Sequence, residues 1–174
     1  MHTSWKPMAP RQTESGNIEG DLKKWLSDSR RVAIIGIGNP LRRDDFVGMK
    51  VVEALQGRVS KSVYLVECET SPESFIGPIT EFSPTHTLIV DAAALSLNPG
   101  SCRLVDPEQI VNRPAISTHA LSLRIFCSYL IKSIGTKIAI LAIQPGDSSF
   151  GEGLTREVEK TAKHLVDLLS NILA

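Results

Sequence analysis

The sequence predicts an α/β fold in which one sheet is covered by helices. Short, almost wholly apolar segments alternate along the chain with segments whose apolar residues recur at helical spacing. A strand that is covered on both faces reads as a continuous apolar run. Alternating strands and helices place helix layers on either side of the sheet. The 174 residues suffice for one domain with a sizeable core.

Each element follows from its local pattern. Strands are predicted at residues 31–37, 63–67, 87–90, 101–105 and 137–143. Helices are predicted at residues 45–56, 117–131 and 154–169. Ser117 or Thr118 is the expected cap of the second of these helices.

The chain divides into three parts. Residues 1–17 are polar and are expected to form a flexible lead. In residues 18–30, Leu22, Trp25 and Leu26 predict a short helix, which either docks on the domain or binds a partner. Residues 31–174 are expected to form a single α/β domain.

Composition excludes several classes of function. The 19 basic residues balance 19 acidic ones, so no net charge favours nucleic acid or an anionic membrane. No apolar stretch approaches the roughly 20 residues of a membrane span. Cys68, Cys102 and Cys127 are odd in number and form no CxxC pair, which indicates reduced thiols and a cytoplasmic location.

The stretch GIGNPLRRDD, residues 36–45, follows the first predicted strand. It is consistent with a bare turn, a dinucleotide site or a metal site. Leu41 replaces the third glycine of a dinucleotide fingerprint. Asp44 and Asp45 would also repel a pyrophosphate bound at the helix N-terminus. The sequence therefore disfavours a nucleotide site.

A metal site is the stronger interpretation. Asp45 follows the first strand, Asp91 ends the third, and His119 lies at the start of a helix. Ligands of open α/β sheets gather beyond the carboxyl ends of the strands, so these three side chains are expected to meet there. Two carboxylates and one imidazole suit a divalent metal and leave positions for water or substrate. Asp44 is interpreted as a helix N-cap rather than a ligand.

The chain resembles the maturation endopeptidases of nickel–iron hydrogenases. The resemblance lies in residues 36–45 with Gly48, in residues 88–92 and 116–119, and more weakly in residues 143–145. It implies a three-layer α/β/α sandwich around a five-stranded, mostly parallel (mixed) sheet. It also implies removal of a C-terminal peptide from the hydrogenase large-subunit precursor after nickel insertion.

The resemblance makes Asp45, Asp91 and His119 the metal contacts. Nickel would arrive with the precursor, and zinc or cadmium would be its substitutes in vitro. Asp45 is also the candidate general base, because no convincing nucleophile accompanies these motifs and neither GxSxG nor HExxH is present. Cys68 has acidic neighbours, which oppose thiolate formation.

Two alternatives remain open. A non-enzymatic, metal-sensing or precursor-binding maturation factor would keep the same residues without cutting. The acidic Glu67 and Glu69 either bind a cationic substrate tail or face solvent, and we favour solvent.

Overall fold

A computed structural model describes residues 17–111 and 120–174 of the chain. The strands are β1 (Val32–Gly36), β2 (Val63–Glu67), β3 (His86–Ala92), β4 (Cys102–Val105) and β5 (Lys137–Ile143). The helices are α1 (Ile18–Trp25), α2 (Val47–Leu55), α3 (Ile76–Phe82), α4 (Pro107–Val111), α5 (Ala120–Ile134) and α6 (Arg156–Leu173). Two 3₁₀ turns, Arg43–Phe46 and Pro72–Phe75, precede α2 and α3.

The five strands form one sheet in the order β2-β1-β3-β5-β4. The pairs β1–β2, β1–β3 and β3–β5 are parallel, and β4 runs antiparallel to β5. The predicted mixed, mostly parallel sheet is therefore confirmed. The strand order reverses direction between β1 and β3, which makes their carboxyl ends the topological switch point where α/β folds bind ligands.

Two hydrophobic clusters cover the two faces of the sheet. The α6-side core contains buried side chains of α1, α2 and α6, among them Leu22, Val51 and Leu165. The α5-side core contains buried side chains of α3 and α5, among them Ile79 and Phe126. Both cores include strand residues, because successive side chains of a strand point to opposite faces. The result is the predicted sandwich of helix layers around the sheet.

Several predicted boundaries were wrong. The predicted helix at 45–56 opens as a 3₁₀ turn and becomes α-helical only at Val47. The last helix runs over Arg156–Leu173 instead of 154–169, and α5 ends at Ile134. The short α3 and α4 were not predicted, because seven or five residues display too little of the helical period. The predicted caps Ser117 and Thr118 lie outside the described residues.

The helix α1 packs on the domain through buried Leu22 and Leu26. Trp25 contacts the buried His86 edge-on, with 5.0 Å between ring centroids. The Nε2 atom of His86 lies 3.2 Å from the carboxylate of Asp28, just after α1. Within the described ranges, no helix is long and apolar enough to cross a membrane. The predicted lead falls almost entirely in residues 1–16, outside the described part of the chain.

Candidate active site

Two glycines bring the start of α2 onto the sheet. A Cβ atom on Gly48 would lie 2.1 Å from the carbonyl oxygen of Val90 and 2.4 Å from that of Ile37. A Cβ atom on Gly36 would lie 2.5 Å from the Gly48 carbonyl oxygen. The amide of Ile37 donates to the Val90 carbonyl at 3.0 Å. Backbone thus packs directly on backbone where β1 and β3 end, which requires residues without side chains.

Asp45 lies at this corner, in the 3₁₀ turn before α2. Its Oδ2 atom accepts a hydrogen bond from the Asn39 amide at 3.0 Å, and only 8% of the residue is exposed. The Asp45 amide donates to the Arg42 carbonyl at 2.9 Å. A Cβ on Gly38 would lie 1.9 Å from the Asp45 carbonyl oxygen, so this turn closes only over glycine. The turn therefore holds the carboxylate in a fixed place.

Asp91 is fully buried near the carboxyl end of β3. Its neighbours Val90 and Ala92 pack in the α6-side core, so its own side chain points to the α5 side of the sheet. Asp91 acts electrostatically on Cys68, just after β2. Burial raises the pKa of the Cys68 thiol to about 12, and the negative charges of Asp91, Glu73 and Glu69 add to the effect.

The two predicted acids therefore lie at the same edge of the sheet. The 3₁₀ turn that carries Asp45 packs against β3, which carries Asp91. The third predicted ligand, His119, lies outside the described residues. In residues 17–111 and 120–174, no three histidine, cysteine, aspartate or glutamate side chains cluster closely enough to hold a metal ion. Glu67 and Glu69 are exposed to solvent.

Asp44 has a role that the sequence did not reveal. It is fully buried, and its carboxylate accepts four hydrogen bonds of 2.7–2.9 Å. The donors are the amides of Gly146, Asp147 and Thr155 and the hydroxyl of Thr155. The interpretation of Asp44 as the N-cap of α2 was wrong, because Phe46 occupies that position. These four hydrogen bonds hold the loop after β5 against the 3₁₀ turn that also carries Asp45.

The turn after β1 has no free cradle for a phosphate. The Gly38 amide donates to the Glu69 carbonyl at 2.9 Å, and the Asn39 amide is used by Asp45. The Leu41 amide donates to the side-chain oxygen of Asn39 at 2.9 Å. Phosphate binding in such turns depends on backbone amides that point at the ligand. These amides are already satisfied internally, which agrees with the missing third glycine.

Comparisons with known proteins identify the family. The profile of the HycI hydrogenase maturation proteases matches residues 49–172. This chain belongs to the hydrogenase maturation protease family. It is similar to the crystal structure of the [NiFe] hydrogenase maturation protease HycI from Thermococcus kodakarensis KOD1, with a TM-score of 0.81 and 34% identity. That match covers 88% of this chain and 98% of the other.

Two relatives agree with this assignment. A Methanocaldococcus jannaschii protein, provisionally named as a hydrogenase maturation protease, is 35% identical over 85% of this chain and 91% of its own length. The hydrogenase 3 maturation protease of Escherichia coli K12 is 30% identical over 72% of this chain and 80% of its own. The protein is accordingly a hydrolase of the endopeptidase type, with the fold of the solved family members. It acts in the processing of hydrogenase precursors.

Proposed function

We propose that this maturation protease removes the C-terminal extension of a nickel–iron hydrogenase large-subunit precursor after nickel has been inserted. The observation that carries the proposal is the pair of buried carboxylates, Asp45 and Asp91, at the β1/β3 switch point. Carboxylates are among the ligands that borderline divalent metals accept in proteins. The family indicates the class of substrate. The two carboxylates are the candidate ligands for the nickel that the substrate carries.

Nickel in this proposal is part of the substrate. Asp45, Asp91 and His119 contact it, and the precursor provides the remaining ligands. The Asn39 amide engages Oδ2 of Asp45, and Oδ1 is the second acceptor of that carboxylate. Borderline divalent ions accept carboxylate and imidazole ligands together, so zinc and cadmium are expected substitutes in vitro. Because the enzyme provides only a few of the nickel ligands, it can bind the nickel-loaded precursor and then release it.

The peptide bond is cleaved by water with Asp45 as the general base. Its carboxylate takes a proton from the water that attacks the scissile carbonyl carbon. The carbon–nitrogen bond then breaks, and the proton passes to the leaving amine. Nickel carried by the precursor would supply Lewis-acid polarisation of the scissile carbonyl. The hydrogen bond from Asn39 orients Asp45 throughout.

A cysteine nucleophile does not fit this site. Burial raises the pKa of the Cys68 and Cys127 thiols to about 12, and it also raises the pKa of Cys102. Nucleophilic cysteines need the opposite shift, because the thiolate is the reactive form. All three cysteines are free, in keeping with the cytoplasmic location that we propose.

The proposal is tested by removing the charge of each carboxylate and measuring cleavage. Asp45→Asn and Asp91→Asn are compared with the parent enzyme on nickel-loaded precursor, with cleavage followed by intact mass. Asp45→Asn is expected to lose cleavage at least about a hundredfold, since general acid–base catalysis contributes about 10²–10⁴. Asp91→Asn is expected to lose cleavage because it removes a charged contact to nickel. Asp167→Asn, which alters an exposed ion pair with Arg58, is the control and keeps the parent rate. Normal cleavage by both site variants would contradict the proposal.

A further inference from the structure

The large apolar side chains that are exposed in the described part of the chain fall into two groups. Four of them lie along α5, and the other two are Leu41 and Phe150. Leu41 follows β1 and is 49% exposed, whereas Phe150 follows β5 and is 80% exposed. Single exposed apolar side chains are ordinary, but contiguous ones mark interaction sites.

Backbone pairing makes Leu41 and Phe150 contiguous. Arg42 and Gly151 form a parallel β-bridge. The Gly151 amide donates to the Leu41 carbonyl at 2.8 Å, and the Arg43 amide donates to the Gly151 carbonyl at 3.0 Å. Leu41 and Phe150 directly precede the bridged pair, so they are neighbours in space. We call these two residues the Leu41–Phe150 patch.

The Leu41–Phe150 patch is tied to Asp45 through one residue. The side-chain oxygen of Asn39 accepts from the Leu41 amide at 2.9 Å, and the Asn39 amide donates to Oδ2 of Asp45 at 3.0 Å. The Asp45 amide donates to the Arg42 carbonyl at 2.9 Å. The patch is therefore continuous with the candidate active site, and a protein bound on it would be held in a fixed position relative to Asp45.

The chemistry of the patch indicates the kind of surface that fits it. Phe150 is exposed over most of its area and so projects from the loop, which suits insertion into a concave surface of a partner. Aromatic side chains that fill a pocket on the partner are typical hot spots of protein interfaces.

The charge beside the patch adds a second requirement. Arg42 is exposed, and its Nε atom donates to the Ser148 carbonyl at 3.1 Å. Within residues 17–111 and 120–174, no acidic side chain forms an ion pair with Arg42. The guanidinium has further N–H donors, so its charge favours an acidic residue at the rim of the partner's pocket.

We propose that the Leu41–Phe150 patch docks the folded body of the hydrogenase precursor, at an apolar pocket with an acidic rim. This inference rests on the proposed function. A folded partner supplies a pocket, whereas a short C-terminal extension offers single side chains and no concavity. Docking at the patch contributes to substrate binding, and the chemical step takes place at Asp45.

The test is steady-state cleavage of nickel-loaded precursor by Phe150→Ala and Leu41→Ala. KM is expected to rise about tenfold or more for Phe150→Ala, as for the loss of a hot spot, with kcat within about a factor of two. Leu41→Ala should raise KM by a smaller factor. Ile131→Ala is the matched control, because Ile131 is also 49% exposed but lies near the end of α5. This control leaves both constants unchanged.

The charge of Arg42 is tested by the salt dependence of cleavage. The kcat/KM of the parent should fall as ionic strength rises, and that of Arg42→Gln should fall less. Arg58→Gln, on an exposed arginine paired with Asp167, keeps the salt dependence of the parent. Equal salt dependence of the parent and Arg42→Gln would overturn the acidic rim.

Folding and binding measurements complete the test. The melting temperatures of both alanine variants should equal that of the parent, because backbone atoms make the bonds that pair the two loops. Nickel-free precursor, which is not cleaved under the proposed function, should bind the parent more tightly than Phe150→Ala in calorimetry. A synthetic peptide with the sequence of the extension should bind both proteins equally.

Three results would overturn the inference while the proposed function stands. The first is equal affinity of the parent and Phe150→Ala for the precursor, with an unchanged KM. The second is tighter binding of the extension peptide to the parent than to Phe150→Ala. The third is dimerisation of the parent that Phe150→Ala abolishes, because a second copy would then cover the patch. If the parent does not cleave nickel-loaded precursor, the proposed function fails, and the precursor affinities still decide the role of the patch.

Discussion

The carboxylate of Asp44 accepts a hydrogen bond from the backbone amide of Thr155 at 2.7 Å, across 111 residues of chain. Thr155 is the N-cap of α6, so this contact joins the turn after β1 to the start of the last helix. The next residue, Asp45, is held by the Asn39 amide instead. Two adjacent acids therefore have different contacts: Asp44 holds the loop after β5, and Asp45 accepts a hydrogen bond within the turn after β1.

Asp44→Asn is expected to destabilise the protein by about 3 kcal/mol. In asparagine, an NH₂ group replaces one carboxylate oxygen. That NH₂ group would face the N–H and O–H groups whose hydrogen bonds the oxygen now accepts. Urea unfolding measures the loss. The control is Asp147→Asn, whose exposed carboxylate lies 3.5 Å from Arg43 and should change the stability much less. Equal free energies of unfolding for the two variants would contradict the role of Asp44 in holding the loop after β5.

Gly48→Ala is expected to prevent normal packing of α2 on the sheet. The new methyl carbon would lie 2.1 Å from the Val90 carbonyl oxygen, so backbone would have to move. Overpacking of this kind typically costs about 1–3 kcal/mol or more, which thermal unfolding would show as a lower melting temperature. Gly77→Ala in α3 is the matched control, because nothing lies within 4 Å of its Cβ position. That variant should be as stable as the parent or slightly more stable.

Thiol chemistry should have no part in cleavage. Burial and nearby acids keep the pKa of Cys68 at about 12, so the folded protein holds almost no Cys68 thiolate at pH 8. Cys68→Ala should retain cleavage, and iodoacetamide should label the native protein slowly but the unfolded protein fast. Loss of cleavage in Cys68→Ala with an unchanged melting temperature would contradict this expectation.

Stability should fall as the pH drops below about 6.5. Burial holds the pKa of His86 below its ordinary value of 6.5, although Asp28 opposes the shift. The unfolded chain therefore binds more protons than the folded one just below pH 6.5, and stability rises with pH in that window. The groups that face His86 are Asp28 and Lys137, which form an ion pair with each other.

His86→Gln tests this directly. The variant cannot take up the proton, so its melting temperature should change less between pH 7.5 and pH 5.5 than that of the parent. The comparison cancels the contributions of the other histidines. The same pH slope in both proteins would show that His86 is not the responsible group.

Much of the fold could be predicted because its strands are buried on both faces. The apolar runs at β1, β3 and β5 are wholly or almost wholly buried, so their apolar composition alone predicted them as strands. The apolar pattern was less informative in α5. Leu121 and Ile125 are as apolar as the buried Leu123, Phe126 and Leu130, yet they are 73% and 60% exposed. Hydrophobicity alone does not show which side of a helix meets the sheet.

The sequence predicted only those candidate site residues that lie near the ends of strands. Asp45 and Asp91 were expected to lie at one edge of the sheet, because both follow apolar runs that end at the same edge of a parallel sheet. The role of Asp44 was not predicted, since its partners are set by tertiary structure. The donors to Asp44 lie more than 100 residues away along the chain. His86 has no acidic neighbour along the sequence, yet Asp28 lies beside it in space.

The most direct test of nickel-dependent cleavage is the intact mass of a matched large-subunit precursor, incubated with the enzyme in nickel-loaded and nickel-free forms. The proposed function predicts loss of one C-terminal peptide from the loaded precursor alone, and no loss with Asp45→Asn. Equal cleavage of both forms would contradict the role of nickel. An unchanged mass of the loaded precursor, despite demonstrated binding, would contradict cleavage of this substrate and favour a maturation factor that binds without cutting.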